Sequence, residues 1–80
     1  MGLVDDISAA RIATALRQVG PRLKGLRTQR GLTLTVVSAS TGISKSTLSR
    51  LETGQRRPTL ELLLALSHAY RVPLDDLVAA

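Results

Sequence analysis

The sequence predicts an all-α fold, and three features carry that prediction. Apolar residues Ile12, Leu16, Val19, Leu23 and Leu26 recur at alternating steps of four and three, the spacing of one helix face. Hydroxyl residues suited to N-capping stand at Thr33, Ser44 and Thr59, and glycines suited to closing a helix stand at Gly31, Gly42 and Gly54. No segment alternates apolar and polar residues with a period of two over strand length, and no internal repeat or low-complexity tract is present.

The elements follow in order. A leading helix is expected near Ile7 to Val19. Gly20-Pro21 then interrupts the apolar stripe, and proline is tolerated in a first turn but costly deeper in, so a new helix is expected to start around Pro21. A single kinked helix running through the proline is the alternative. The second helix reaches about Arg30, where Gly31 supplies a stop. Thr33 caps a short helix from Leu34 to Thr41, with Leu34, Val37 and Ser38 facing inward, and Gly42 ends it. Ile43 is apolar between Gly42 and Ser44, as suits a turn whose middle residue plugs the core. Ser44 caps the next helix, Lys45 to Thr53, with Leu48 and Leu51 inward and Gly54 closing it. Two short helices joined by Gly42-Ile43-Ser44 make a candidate helix-turn-helix. Thr59 caps a Leu- and Ala-rich helix from Leu60 to about Tyr70, the expected centre of the core. Val72-Pro73 breaks it, and Asp75 and Asp76 favour the first turn of a last helix, Leu74 to Val78, through its dipole.

At 80 residues the chain is expected to form one core, because a second would leave each half too small to bury enough surface. The 44% of hydrophobic residues are mainly aliphatic, with one Tyr and no Phe, Trp or Cys. Without cysteine there is no disulfide framework or thiolate site, and the lone His68 leaves no basis for a protein-only zinc site or for catalysis. No metal, cofactor or enzymatic activity is expected. No apolar run approaches the roughly 18 residues of a membrane span, and the acidic start Val4-Asp5-Asp6 is unlike a signal peptide, so no membrane partner and a cytoplasmic location, with the nucleoid, are expected.

The formal charge is +5, but its placement is more informative than its sum. All basic residues except Arg71 lie between Arg11 and Arg57, where Glu52 is the single acid; Asp5, Asp6, Glu61, Asp75 and Asp76 flank that stretch. Such a field attracts polyanions, nucleic acid above all, although basic surface alone is shared by many soluble proteins. The helix starting after Ser44 sharpens it. Leu48 and Leu51 pin one face, which leaves Lys45, Ser46, Ser49 and Arg50 on the other, where their side chains can reach base edges together. An ordinary solvated face is the bland alternative. Ser44 offers hydroxyl and amide to a phosphate besides its capping role, and Arg56 and Arg57 are read as clamps on backbone phosphates, with mere solubilisation the alternative.

Three stretches, Leu26 to Leu34, Thr41 to Gly54 with its Gly42-Ile43-Ser44-Lys45-Ser46-Thr47-Leu48-Ser49-Arg50-Leu51-Glu52 run, and Arg57 to Leu66, resemble the lambda-repressor-like (Xre/Cro) helix-turn-helix family. The subtype that precedes a cupin domain in bacterial regulators looks closest. The resemblance covers about Val19 to Val78. It implies five helices, here with an extra N-terminal helix, so residues 1–18 form an extension and 19–80 the helix-turn-helix domain. It also implies that the third family helix enters the major groove, with Lys45, Ser46 and Arg50 at base-reading positions and Ser44, Thr53 and the loop Gln55, Arg56 and Arg57 at phosphate-contacting ones. Arg27 and Glu52 are implied to form a structural ion pair. Two positions depart from the pattern. Leu34 stands where many members carry Gln, and Val36 where Glu or Gln is usual, which removes polar contacts from the helix before the turn.

The leading reading is therefore a sequence-specific double-stranded-DNA binder, a transcriptional regulator or its DNA-binding module, reading half of a palindrome as a homodimer. An effector would act through a further C-terminal domain. An antitoxin-like module that also binds a protein partner is the alternative. The leading segment lies outside the resemblance, and its Ile12-Leu16-Val19 stripe packs either on its own domain or against a second copy.

Overall fold

The computed structural model describes the backbone of residues 2–78 and the side chains of residues 9–78. It contains five helices and, among the described residues, no strand: α1 (Gly2–Gln29), α2 (Leu34–Thr41), α3 (Lys45–Glu52), α4 (Leu60–Tyr70) and α5 (Leu74–Val78). Helices α2 to α5 lie where capping and apolar spacing place them, except that α3 ends at Glu52 and leaves Thr53 as its C-cap.

The largest departure from expectation is α1. No break occurs at Gly20-Pro21: the two anticipated helices are one of 28 residues with Pro21 inside it, so the described residues of the leading segment, from Gly2 to Gln18, are the first part of this helix rather than a separate one. Pro21 removes the amide that would bond the Arg17 carbonyl, a penalty of roughly 3 kcal/mol in a helix interior. Two features offset it. Pro21 and Arg17 are both exposed, so water can reach this turn of the helix. Val19 and Leu23, on either side of it, are 1% and 2% exposed and belong to the same core, so burial holds both halves of the helix in register. Gly20 has a different role from the helix break it resembles. A Cβ built there would lie 2.7 Å from the carbonyl oxygens of both Leu51 and Glu52. The bare backbone of α1 thus passes against the last turn of α3, an approach only glycine permits.

Helix ends are satisfied locally. Thr33, Ser44 and Thr59 hydroxyls accept from the amides of Val36, Thr47 and Leu62. After α1, Gly31 has a left-handed φ of 65°, and the Leu32 and Gly31 amides donate to the Arg27 and Thr28 carbonyls, a Schellman closure. Helix α4 closes in the same way on Arg71, with φ 54° and no glycine, through Val72 to Ser67 and Arg71 to His68.

The core is formed by Val19, Leu23, Val37, Ile43, Leu48, Leu51, Leu63, Leu66, Tyr70 and Leu77. Ile43 does plug the turn, and Val37 is buried while Leu34 and Ser38 are half-buried. Along the Ile12-Leu16-Val19 stripe, Val19 is buried in the core, Leu16 is half-buried and Ile12 is 60% exposed. Arg22 ties α1 to α5 by donating to the Leu77 carbonyl, 3.4 Å, and it also donates to Gln18, 2.8 Å.

Candidate nucleic-acid interface

Helix α3 is held by its inner face. Leu48 and Leu51 are each 2% exposed, and this anchors a helix of only 8 residues that would be unstable alone. The Ser44 Oγ accepts from the Thr47 amide at 3.1 Å and donates to Thr47 Oγ1 at 2.9 Å, so the hydroxyl already serves the cap. With the inner face fixed, Lys45, Ser46, Ser49 and Arg50 are all exposed. Lys45 and Ser49 are one turn apart, as are Ser46 and Arg50, so the four make one polar flank. Lys45 and Arg50 have no ion-pair partner among the described residues.

The end of α3 is closed by the loop that follows. Gly54 has φ 79°, and the Gln55 and Arg56 amides both donate to the Arg50 carbonyl, at 2.8 and 3.1 Å. Thr53 Oγ1 donates back to the Ser49 carbonyl at 3.0 Å. The Gln55 and Arg56 amides and this hydroxyl proton are therefore engaged within the chain, whereas the side chains of Gln55, Arg56 and Arg57 are all exposed. Arg56 and Arg57 also have no ion-pair partner among the described residues.

Behind α3, Arg27 grips Glu52 with both ends of its fork: Nε to Oε2 at 2.7 Å and Nη2 to Oε1 at 3.0 Å. Its Nη1 donates to the Leu32 carbonyl at 3.0 Å. The side chains are only 15% and 7% exposed, so the pair is largely removed from water and joins α1, the α1–α2 turn and α3. The hydrogen bond to Glu52 raises the Arg27 pKa against the opposing pull of burial. Nearby, the Arg30 guanidinium sits 5.9 Å above the Tyr70 ring, a cation–π distance, and burial foremost, then the Glu52 carboxylate, raises the Tyr70 pKa. Glu52 thus neutralises scaffold rather than the exposed flank, which stays positive.

On α2 the side chain at the variant position, Leu34, packs against the core and Val36 is 50% exposed, so neither supplies a polar group. His68 is exposed on α4, and no group of His, Cys, Asp or Glu that could hold a metal exists among the described residues. No described helix is long and apolar enough to cross a membrane. One residue that spacing did not single out lies beside the loop cations. Arg17, on α1, lines the same groove as Arg56 and Arg57; its only sequence signal is membership of the basic stretch, because residues so far apart are brought together only by the fold.

A helix-turn-helix family profile matches residues 23–77. Transcriptional regulator ClgR of Mycobacterium tuberculosis is 41% identical over 65 residues, which are 80% of this chain and 58% of that one. The HTH-type transcriptional regulator DdrOP3 of Deinococcus deserti is 40% identical over 57 residues, 71% of this chain and 44% of its own. An uncharacterised HTH-type regulator, y4dJ of Sinorhizobium fredii, is 42% identical over 60 residues, 75% of this chain and 78% of its own. The chain thus spans little more than half the length of ClgR. Among solved structures, the restriction-modification controller protein C.AhdI of Aeromonas hydrophila superposes with a TM-score of 0.74 at 31% identity, covering 81% of this chain and 97% of that one.

Proposed function

Because the chain belongs to the Xre/lambda-repressor-like helix-turn-helix family, we propose that it binds double-stranded DNA sequence-specifically and regulates transcription, seating α3 in the major groove. The observation that carries this is the exposed flank of Lys45, Ser46, Ser49 and Arg50, whose cations are unpaired while the opposite face is locked in the core. Lys and Arg donors match guanine O6 and N7, and serine accepts several bases. Ser44, Thr53, Gln55, Arg56 and Arg57 position the backbone of the duplex. For Thr53 that contact uses its oxygen as acceptor or exchanges its bond to Ser49.

Relatives named as transcriptional regulators support this reading over a protein-interaction module. One such domain reads few base pairs, so a homodimer on a palindrome, with half-sites about 34 Å apart, completes the site. A cytoplasmic location at the nucleoid follows from that role. The finer assignment, to regulators in which a cupin domain carries the effector site, rests on the motif resemblance. Selection of bound duplexes from a random library tests the whole: enrichment of a palindromic motif is expected, and recovery of no motif overturns sequence-specific reading.

A further inference from the structure

We infer that the groove between α1 and the α3–α4 loop is a further backbone-phosphate site, in which Arg17 of the leading helix closes on the duplex from the side opposite Arg56 and Arg57. The groove measures about 460 Å³. Its floor is apolar, from Leu16, Leu51 and Pro58, and Arg17, Arg56 and Arg57 stand around it with no acidic residue in the lining. Arg17 donates one hydrogen bond within its own helix, to Thr14 Oγ1 at 3.2 Å, and is exposed. Guanidinium groups placed around one groove without a counter-charge repel one another, and a bound anion relieves that repulsion. The Gln55 and Arg56 amides are already bonded to the Arg50 carbonyl; the guanidinium forks are available, and they suit phosphate oxygens.

The anion is DNA, since Arg56 and Arg57 belong to the loop directly after α3. Phosphates flanking a duplex seated on Lys45, Ser46 and Arg50 are then the nearest polyanion. Arg17 lies before the family-matched residues 23–77, on the part of α1 that the uninterrupted passage through Pro21 aligns with the domain. The inference rests on the DNA-binding reading above.

The test is equilibrium binding of the whole chain, as wild type, Arg17→Gln and Arg17→Lys, to a selected duplex and to a random duplex of equal length across a salt series. For Arg17→Gln the slope of log K against log salt falls by about one on both duplexes, which makes the affinity loss between about 50 and 200 mM salt roughly threefold smaller, while Arg17→Lys keeps the wild-type slope. Base preference and melting temperature stay unchanged. An unchanged slope, or weakening confined to the selected duplex, overturns the site. Saturable binding of inorganic phosphate combined with a DNA slope insensitive to Arg17→Gln assigns the groove to a free anion and overturns the duplex contact. A wild-type chain that binds neither duplex overturns the DNA-binding reading itself, an outcome distinct from the other two.

Discussion

Arg50 and Arg56 sit six positions apart in the chain and carry the same charge, yet their surroundings assign them different work. Arg50 projects from a rigid helix beside Lys45 and Ser46, so Arg50→Ala is expected to relax preference at one base position and to weaken the selected site by about 1–3 kcal/mol, measured against single-base variants of that site. Arg56 lies in a loop whose backbone is tied to α3, so Arg56→Ala is expected to weaken all duplexes alike and to lower the salt slope by about one. Glu52 is different again. Its carboxylate holds a fork that has no other acid to turn to, and Glu52→Ala leaves Arg27 mostly buried and unpaired. A loss of about 2–3 kcal/mol in urea denaturation is expected, without change in base preference at temperatures where the variant is folded.

Helix α1 departs furthest from what local spacing implies. Gly20 and Pro21 read as a single break, but the structure gives them opposite energetic signs. Gly20→Ala improves helix propensity by about 1 kcal/mol, yet its Cβ would fall 2.7 Å from two backbone carbonyls, so the helices must separate. Net destabilisation of roughly 1–3 kcal/mol is expected from the forced repacking. Pro21→Ala restores an amide for the Arg17 carbonyl at an exposed position, and a gain of up to about 3 kcal/mol is expected. Thermal unfolding of the two variants under one buffer checks both signs, and equal shifts in the same direction would refute this account of the helix. Helix α3 shows the complementary case, in which weak local propensity is overruled by two leucines that bury one face.

At the scale of the molecule, five helices enclose one aliphatic core around a single aromatic residue, Tyr70, whose ionisation is expected to weaken the fold at alkaline pH. Burial raises the Tyr70 pKa in the folded state. The stabilising contribution is therefore fully present below the unfolded value of about 10 and is lost as pH rises through the higher folded value. Arg27, also raised, acts in the same direction at still higher pH. Stability measured by urea denaturation is expected to decline above about pH 10, and Tyr70→Phe should flatten the first part of that decline. A Tyr70→Phe profile that follows the wild type throughout would show that the tyrosine is not its source.

Local sequence rules suffice for the short helices and for the exposed polar face of α3. Hydroxyl caps at Thr33, Ser44 and Thr59 and left-handed glycines at Gly31, Gly42 and Gly54 act within a few residues, so α2 to α5 were legible from local rules, as was the flank of Lys45, Ser46, Ser49 and Arg50 left over once Leu48 and Leu51 turn inward. The left-handed Arg71 was not legible, because its residue type argues against the conformation that the core imposes. Tertiary packing settles what local rules leave open: α1 runs unbroken through Pro21, Gly20 is a contact with α3 rather than a break, the left-handed turn at Arg71 is tolerated, and Arg17 lines one groove with Arg56 and Arg57. The reason is common to all four. Each depends on residues more than thirty positions apart being pressed together by burial, or on a local penalty that such burial outweighs, and neither can be read from spacing along the chain.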